Sequence, residues 1–149
     1  MKNIVSYKTA QALKTAGFPQ PEPEAGQVWY LDAGDAVFIN GINARGEIIC
    51  AAPSLINIEG HFVFNPDACE SMPFAPTAAD ILRELPATKG EHPIALCFFA
   101  DGVDTFTVTD FHQGEDGLFS GCDISEHANP AEACAAAWLE LKKQVAKSG

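Results

Sequence analysis

Three stretches of this chain carry their own start and stop signals for a helix, and between them lie runs of strand-forming residues separated by tight-turn sequences. That alternation constrains the fold more than any other feature. Short turns join antiparallel neighbours, whereas parallel strands need crossovers of a dozen or more residues.

The first helix is signalled at Ser6, whose hydroxyl can accept an orphan backbone N–H ahead of TAQALKTAG. Ala10, Leu13 and Ala16 share its apolar stripe. Gly17 can take the left-handed conformation that stops it, Phe18 can fold back on Leu13, and Pro19 forbids continuation. A linker-like segment, PQPEPEAG, follows. The second helix opens at Thr77, with Asp80 three residues on as an imperfect capping box, and Pro86 ends it. Its apolar face reads Ala78, Ile81, Leu82 and Leu85. The third has Asn129 as cap, Pro130 at the first helical position and Glu132 completing the box, and is predicted to run to about Ala146. Ala131, Cys134, Ala135, Trp138, Leu141 and Val145 recur on one face, and five alanines between 131 and 137 allow close packing.

The strand-like runs are QVWYLD, AVFIN, EIICA and HFVFN before the second helix, then IALCFFA, VDTFTVTDF and a short GLFSG after it. NARG and Ala100-Asp101-Gly102 are hairpin turn signals. The pattern predicts an α+β fold in the order α-βββ-α-βββ-α. Two meanders form one antiparallel sheet, strongly bent or split in two, with the three helices packed on a face. At 149 residues, 47% hydrophobic and 19% charged, the chain is expected to fold as a single domain over residues 1–149.

The N-terminal MKNIVSYKTAQALK has no continuous apolar stretch of the signal-peptide kind, and no run approaches the roughly 18 apolar residues of a membrane span. A cytoplasmic protein is expected. Cys50, Cys69, Cys97, Cys122 and Cys134 are odd in number and widely spaced, which fits reduced, mostly buried thiols. A net charge of −11 repels phosphate backbones and anionic membranes, so neither nucleic acid nor membrane is an expected partner.

His92 and Cys97 share the separation of Cys122 and His127, a zinc-type ligand set. Residues five apart on a strand, however, point to opposite faces about 16 Å apart. Cys122 with His112 or His127, oriented by Asp110 or Asp123, would make a Cys–His nucleophile, although no nucleophile elbow surrounds them. Asp101, Asp104, Asp110, Glu115 and Asp116 could converge on calcium, without an EF-hand pattern; solvated hairpins carry acids in the same way. No phosphate-binding glycine loop is present, and Trp29 and Trp138 occupy core-compatible positions. No catalytic, cofactor-binding or metal-ligating residue is therefore assigned, and no cofactor is expected.

Three stretches, TAQALKTAGFPQP, FAPTAADILRELP and NPAEACAAAWLELKK, together resemble a broad set of small bacteriophage and prophage proteins. The likeness rests on Leu13 to Phe18 as a Leu-x-x-x-Gly-Phe element, on Ala75-Pro76-Thr77 opening the middle helix, and on the Glu-Ala start of the last helix from Glu132. It covers about a quarter of the chain and implies phage or prophage origin without implying an activity. The expectation is a non-enzymatic accessory protein that binds another protein in the bacterial cytosol, or a second copy of itself. A small Cys/His hydrolase and an acidic DNA-mimic inhibitor are the alternatives. Eight acids and no Lys or Arg lie between Asp101 and Glu132. The interaction surface is accordingly expected on the second meander, at Asp101, Asp104, Asp110, Glu115 and Asp116.

Overall fold

The computed structural model of the protein describes residues 3–31, 34–51, 62–86, 88–89, 92–100, 104–113 and 115–148. Its elements follow the order α1 (Tyr7–Thr15), β1 (Val28–Tyr30), β2 (Ala36–Ile42), β3 (Ile48–Ala51), β4 (Phe62–Phe64), a 3-10 turn (Pro66–Glu70), α2 (Ala78–Glu84), β5 (Thr88–Lys89), β6 (His92–Ala100), β7 (Asp104–Gln113), β8 (Phe119–His127) and α3 (Pro130–Ser148). The fold is α+β, with two antiparallel sheets in the orders β1-β2-β3-β4 and β5-β6-β7-β8. The four runs before α2 form β1–β4, and the second meander adds the two-residue β5 to the three strands read after α2. No helix among the described residues is long and apolar enough to cross a membrane. The chain divides into two compact units, one over Ser6–Pro76 and one combining Met1–Val5 with Thr77–Gly149.

In the Ser6–Pro76 unit, α1 starts where Ser6 Oγ accepts from the Thr9 N–H at 3.2 Å. It stops at Gly17, whose φ of 92° suits a residue without a Cβ, while the Phe18 N–H donates to the Leu13 carbonyl. The β2–β3 hairpin turns on Asn43, whose side chain accepts from the Arg45 and Glu47 N–H groups. All three residues of β1 are buried, which an edge strand could not achieve alone. Residues 73–75 run along its outer side: Tyr30 N–H donates to Pro73 O, Ala75 N–H to Val28 O, and the Phe74 ring lies 5.3 Å from that of Trp29. Trp29, Val37, Ile39, Ile48, Cys50, Cys69, Met72 and Phe74 form the core. The Lys14 ammonium ties the 3-10 turn to α1 by donating to the Glu70 and Met72 carbonyls.

In the second unit the capping box at Thr77 is complete, with Asp80 N–H on Thr77 Oγ1 and Thr77 N–H on Asp80 Oδ2. Ile81 and Leu85 are buried as expected, but Leu82 is 36% exposed, so the apolar face of this two-turn helix is narrower than the spacing suggests. Asn129 Oδ1 accepts from Ala131 N–H at 2.8 Å and caps α3, which extends two residues beyond the predicted end. Ala133 and Ala137 are buried beside Ala131, Cys134, Ala135 and Trp138. That wide buried surface follows from double contact, with β7 and β8 on one side and α2 on the other, which small alanines permit.

Candidate functional site

β7 and β8 pair over most of their length, and one irregularity decides which side chains meet. Val108 faces Ser125 but Thr109 faces Asp123, leaving Ile124 as an extra residue in β8. Beyond this bulge Asp110 pairs with Cys122 and His112 with Ser120. Because strand residues alternate faces, Asp110, His112, Ser120 and Cys122 come to one face of the sheet. Without the bulge, Asp123 would stand opposite Asp110 and Cys122 would point the other way.

The ligating atoms of Asp110, His112 and Cys122 all lie within 4.8 Å of one another. Asp110 is 5% exposed, His112 is half-buried and Cys122 is exposed. Ser120 Oγ lies 2.8 Å from His112 Nε2 and fixes the ring. Between Ser120 and Cys122, Gly121 leaves room for the chain: a Cβ there would come within 2.6 Å of Thr109 Cγ2. Two strands, rather than a loop, therefore hold the three donors.

Of the Cys–His combinations open in the sequence, the fold brings together Cys122, His112 and Asp110. Asp123 is on the opposite face, where it accepts from Thr109 Oγ1 at 2.9 Å, and Thr109 in turn meets Thr107 Oγ1 at 3.0 Å. His127 pairs with Phe106 at the far end of the hairpin, and its Nδ1 accepts from Asn129 N–H. A nucleophilic relay runs in a line, thiol to imidazole to carboxylate, with the acid remote from the sulfur. Here the acid, too, lies within 4.8 Å of the sulfur, so the three heads cluster instead. The zinc-type set of the sequence is dispersed: Cys97 faces Thr107, which puts it on the other face from Cys122, and of His92 only the backbone in β6 is described.

Of the five acids assigned to an interaction surface, also the calcium candidates, the side chains of Asp110, Glu115 and Asp116 are described. Asp101 lies outside the described residues, and of Asp104 only the backbone at the start of β7 is described. Glu115 and Asp116 are exposed at the β7–β8 turn, where Asp116 Oδ1 accepts from Leu118 N–H at 3.1 Å. Leu118 beside them is 69% exposed. Asp110 is buried and stands on the face of His112 and Cys122, away from the turn. Sequence reasoning had no signal for the burial of Asp110, since it depends on which face of the sheet the acid takes.

A shallow groove of about 150 Å³ opens elsewhere, lined by Glu84, Leu85, Pro86, Trp138, Leu141 and Lys142. Lys142 Nζ sits 5.6 Å from the Trp138 ring centroid. The groove contains neither His112 nor Cys122. Burial pushes the Cys50, Cys69 and Cys134 thiols from 9.0 up to about 11, so these three behave as small core hydrophobes. No family model, curated protein or solved structure matches this chain.

Proposed function

We propose that this protein is a non-enzymatic accessory protein of phage or prophage type that binds another protein in the bacterial cytosol, and that the β7–β8 hairpin is its contact surface. The observation that carries this reading is the character of β8. It is a nine-residue strand at the edge of its sheet, and among the described residues no strand lies along its outer side. Unpaired backbone N–H and C=O groups on such an edge can accept an added strand.

Its side chains restrict what can pair. Cys122, Asp123, Glu126 and His127 are exposed, as are Glu115 and Asp116 at the turn, and no Lys or Arg occurs from 101 to 141. The Ile124 bulge and this charge oppose pairing with a second acidic edge, which favours a basic segment over self-association. Leu118 supplies an apolar anchor at the tip. A DNA-mimic role would use the same acids toward a DNA-binding protein, and duplex DNA would then compete for the site.

The experiment changes Asp101, Asp104, Glu115 and Asp116 together to Asn or Gln and measures binding to a partner captured from host lysate at low and moderate salt. Weaker binding and a flatter salt dependence are expected. Unchanged affinity and unchanged salt dependence would reduce the acidic surface to a solubility feature.

A further inference from the structure

We infer that Asp110, His112 and Cys122, on the same β7–β8 hairpin, form a site for one divalent transition-metal ion of the zinc class, an assignment that does not depend on the protein-binding role proposed above. The donor set is one thiolate, one imidazole and one carboxylate. Sulfur and nitrogen donors select zinc-like ions, whereas magnesium and calcium take oxygen ligands.

Spacing supports the assignment. Zinc–ligand bonds of roughly 2.0–2.3 Å in a tetrahedron put donor atoms about 3.4–3.6 Å apart. The three donors here are within 4.8 Å of one another, so small χ rotations close them on an ion without moving the strands. Ser120, 2.8 Å from His112 Nε2, holds the ring as outer-shell partners of metal-bound histidines do. The long acidic stretch without Lys or Arg raises the local concentration of cations.

Coordination exchanges the Cys122 S–H bond for a metal–sulfur bond and releases the proton to solvent, with no change of oxidation state. Because Cys122 is exposed, the ion enters from solvent and a fourth position remains for water or an external donor. Three protein ligands with an open position make an exchangeable site rather than a structural staple.

The test uses the full chain, reduced and freed of metal with a chelator, then titrated with Co²⁺. One equivalent should produce a near-ultraviolet thiolate-to-cobalt charge-transfer band together with the visible bands of tetrahedral cobalt, and Zn²⁺ should abolish both while excess Mg²⁺ or Ca²⁺ should not. Cys122→Ser should remove the charge-transfer band, and His112→Gln should weaken Zn²⁺ binding by at least about 100-fold. Ser120→Ala should weaken it by roughly 10–100-fold. Cys97→Ser should change nothing. A readout on the unaltered protein guards against variants that fail to fold: Zn²⁺ should slow alkylation of Cys122, located by peptide mass spectrometry, without affecting Cys97. Absence of the charge-transfer band, its survival in Cys122→Ser, displacement by Mg²⁺ or Ca²⁺, or alkylation of Cys122 at an unchanged rate with Zn²⁺ present would each overturn the assignment.

Discussion

Replacing Trp138 by alanine should destabilise the protein by about 3 kcal/mol. Trp138 is 9% exposed in the wide buried surface of α3. A tryptophan covers roughly 150–250 Å² in a core, which at about 25 cal/mol per Å² corresponds to some 4–6 kcal/mol, of which alanine retains a part. Two features of the site reduce the remainder. The groove beside Trp138 is open, so water fills the vacated space and the cavity contribution is small. Alanine is also the better helix former by roughly 0.5 kcal/mol. Urea unfolding followed by far-ultraviolet circular dichroism measures the loss. Fluorescence of the remaining Trp29, which belongs to the Ser6–Pro76 unit, tests the single-domain expectation in the same experiment, since one cooperative domain requires both signals to shift to the same midpoint. A loss below about 1 kcal/mol would refute the packing argument and place Trp138 at an interface instead.

Thr77→Ala should cost about 1 kcal/mol by opening the capping box of α2, measured as a shift of the urea midpoint at unchanged m-value. Alkaline pH should destabilise the fold through its buried thiols. Folding raises the pKa of Cys50, Cys69 and Cys134 from 9.0 to about 11, so between these values the native state binds more protons than the unfolded chain and stability falls as pH rises. The loss approaches roughly 2–3 kcal/mol per thiol at the upper end, and Cys134→Ala should flatten a urea-midpoint profile taken from pH 8 to 11. A profile that is flat in the unaltered protein would mean that these thiols ionise in place.

The helix boundaries were legible because their determinants are local. Ser6, Thr77 with Asp80, and Asn129 with Pro130 act on backbone groups two or three residues away, and Gly17 ends α1 by its own conformation. Turn residues of the same kind, such as Asn43 and Gly46, fixed the antiparallel sense of the meanders and hence the α+β class. What the local rules could not show was closure at long range. The segment 73–75 covers β1 through contacts more than forty residues away in the chain, and α3 buries Ala133 and Ala137 because α2 returns against it.

The candidate metal site belongs wholly to this second category. Asp110, His112 and Cys122 were each visible as reactive side chains, in company with Asp123 and His127, and nothing in their spacing chose among them. The choice was made by one extra residue, Ile124, which slips the β7–β8 register so that Cys122 instead of Asp123 stands opposite Asp110. Strand side chains alternate with period two, so a one-residue slip exchanges the entire set presented on a face. Sequence therefore determined the elements and their direction, while the register of two strands in the tertiary fold decided which of their side chains could act together.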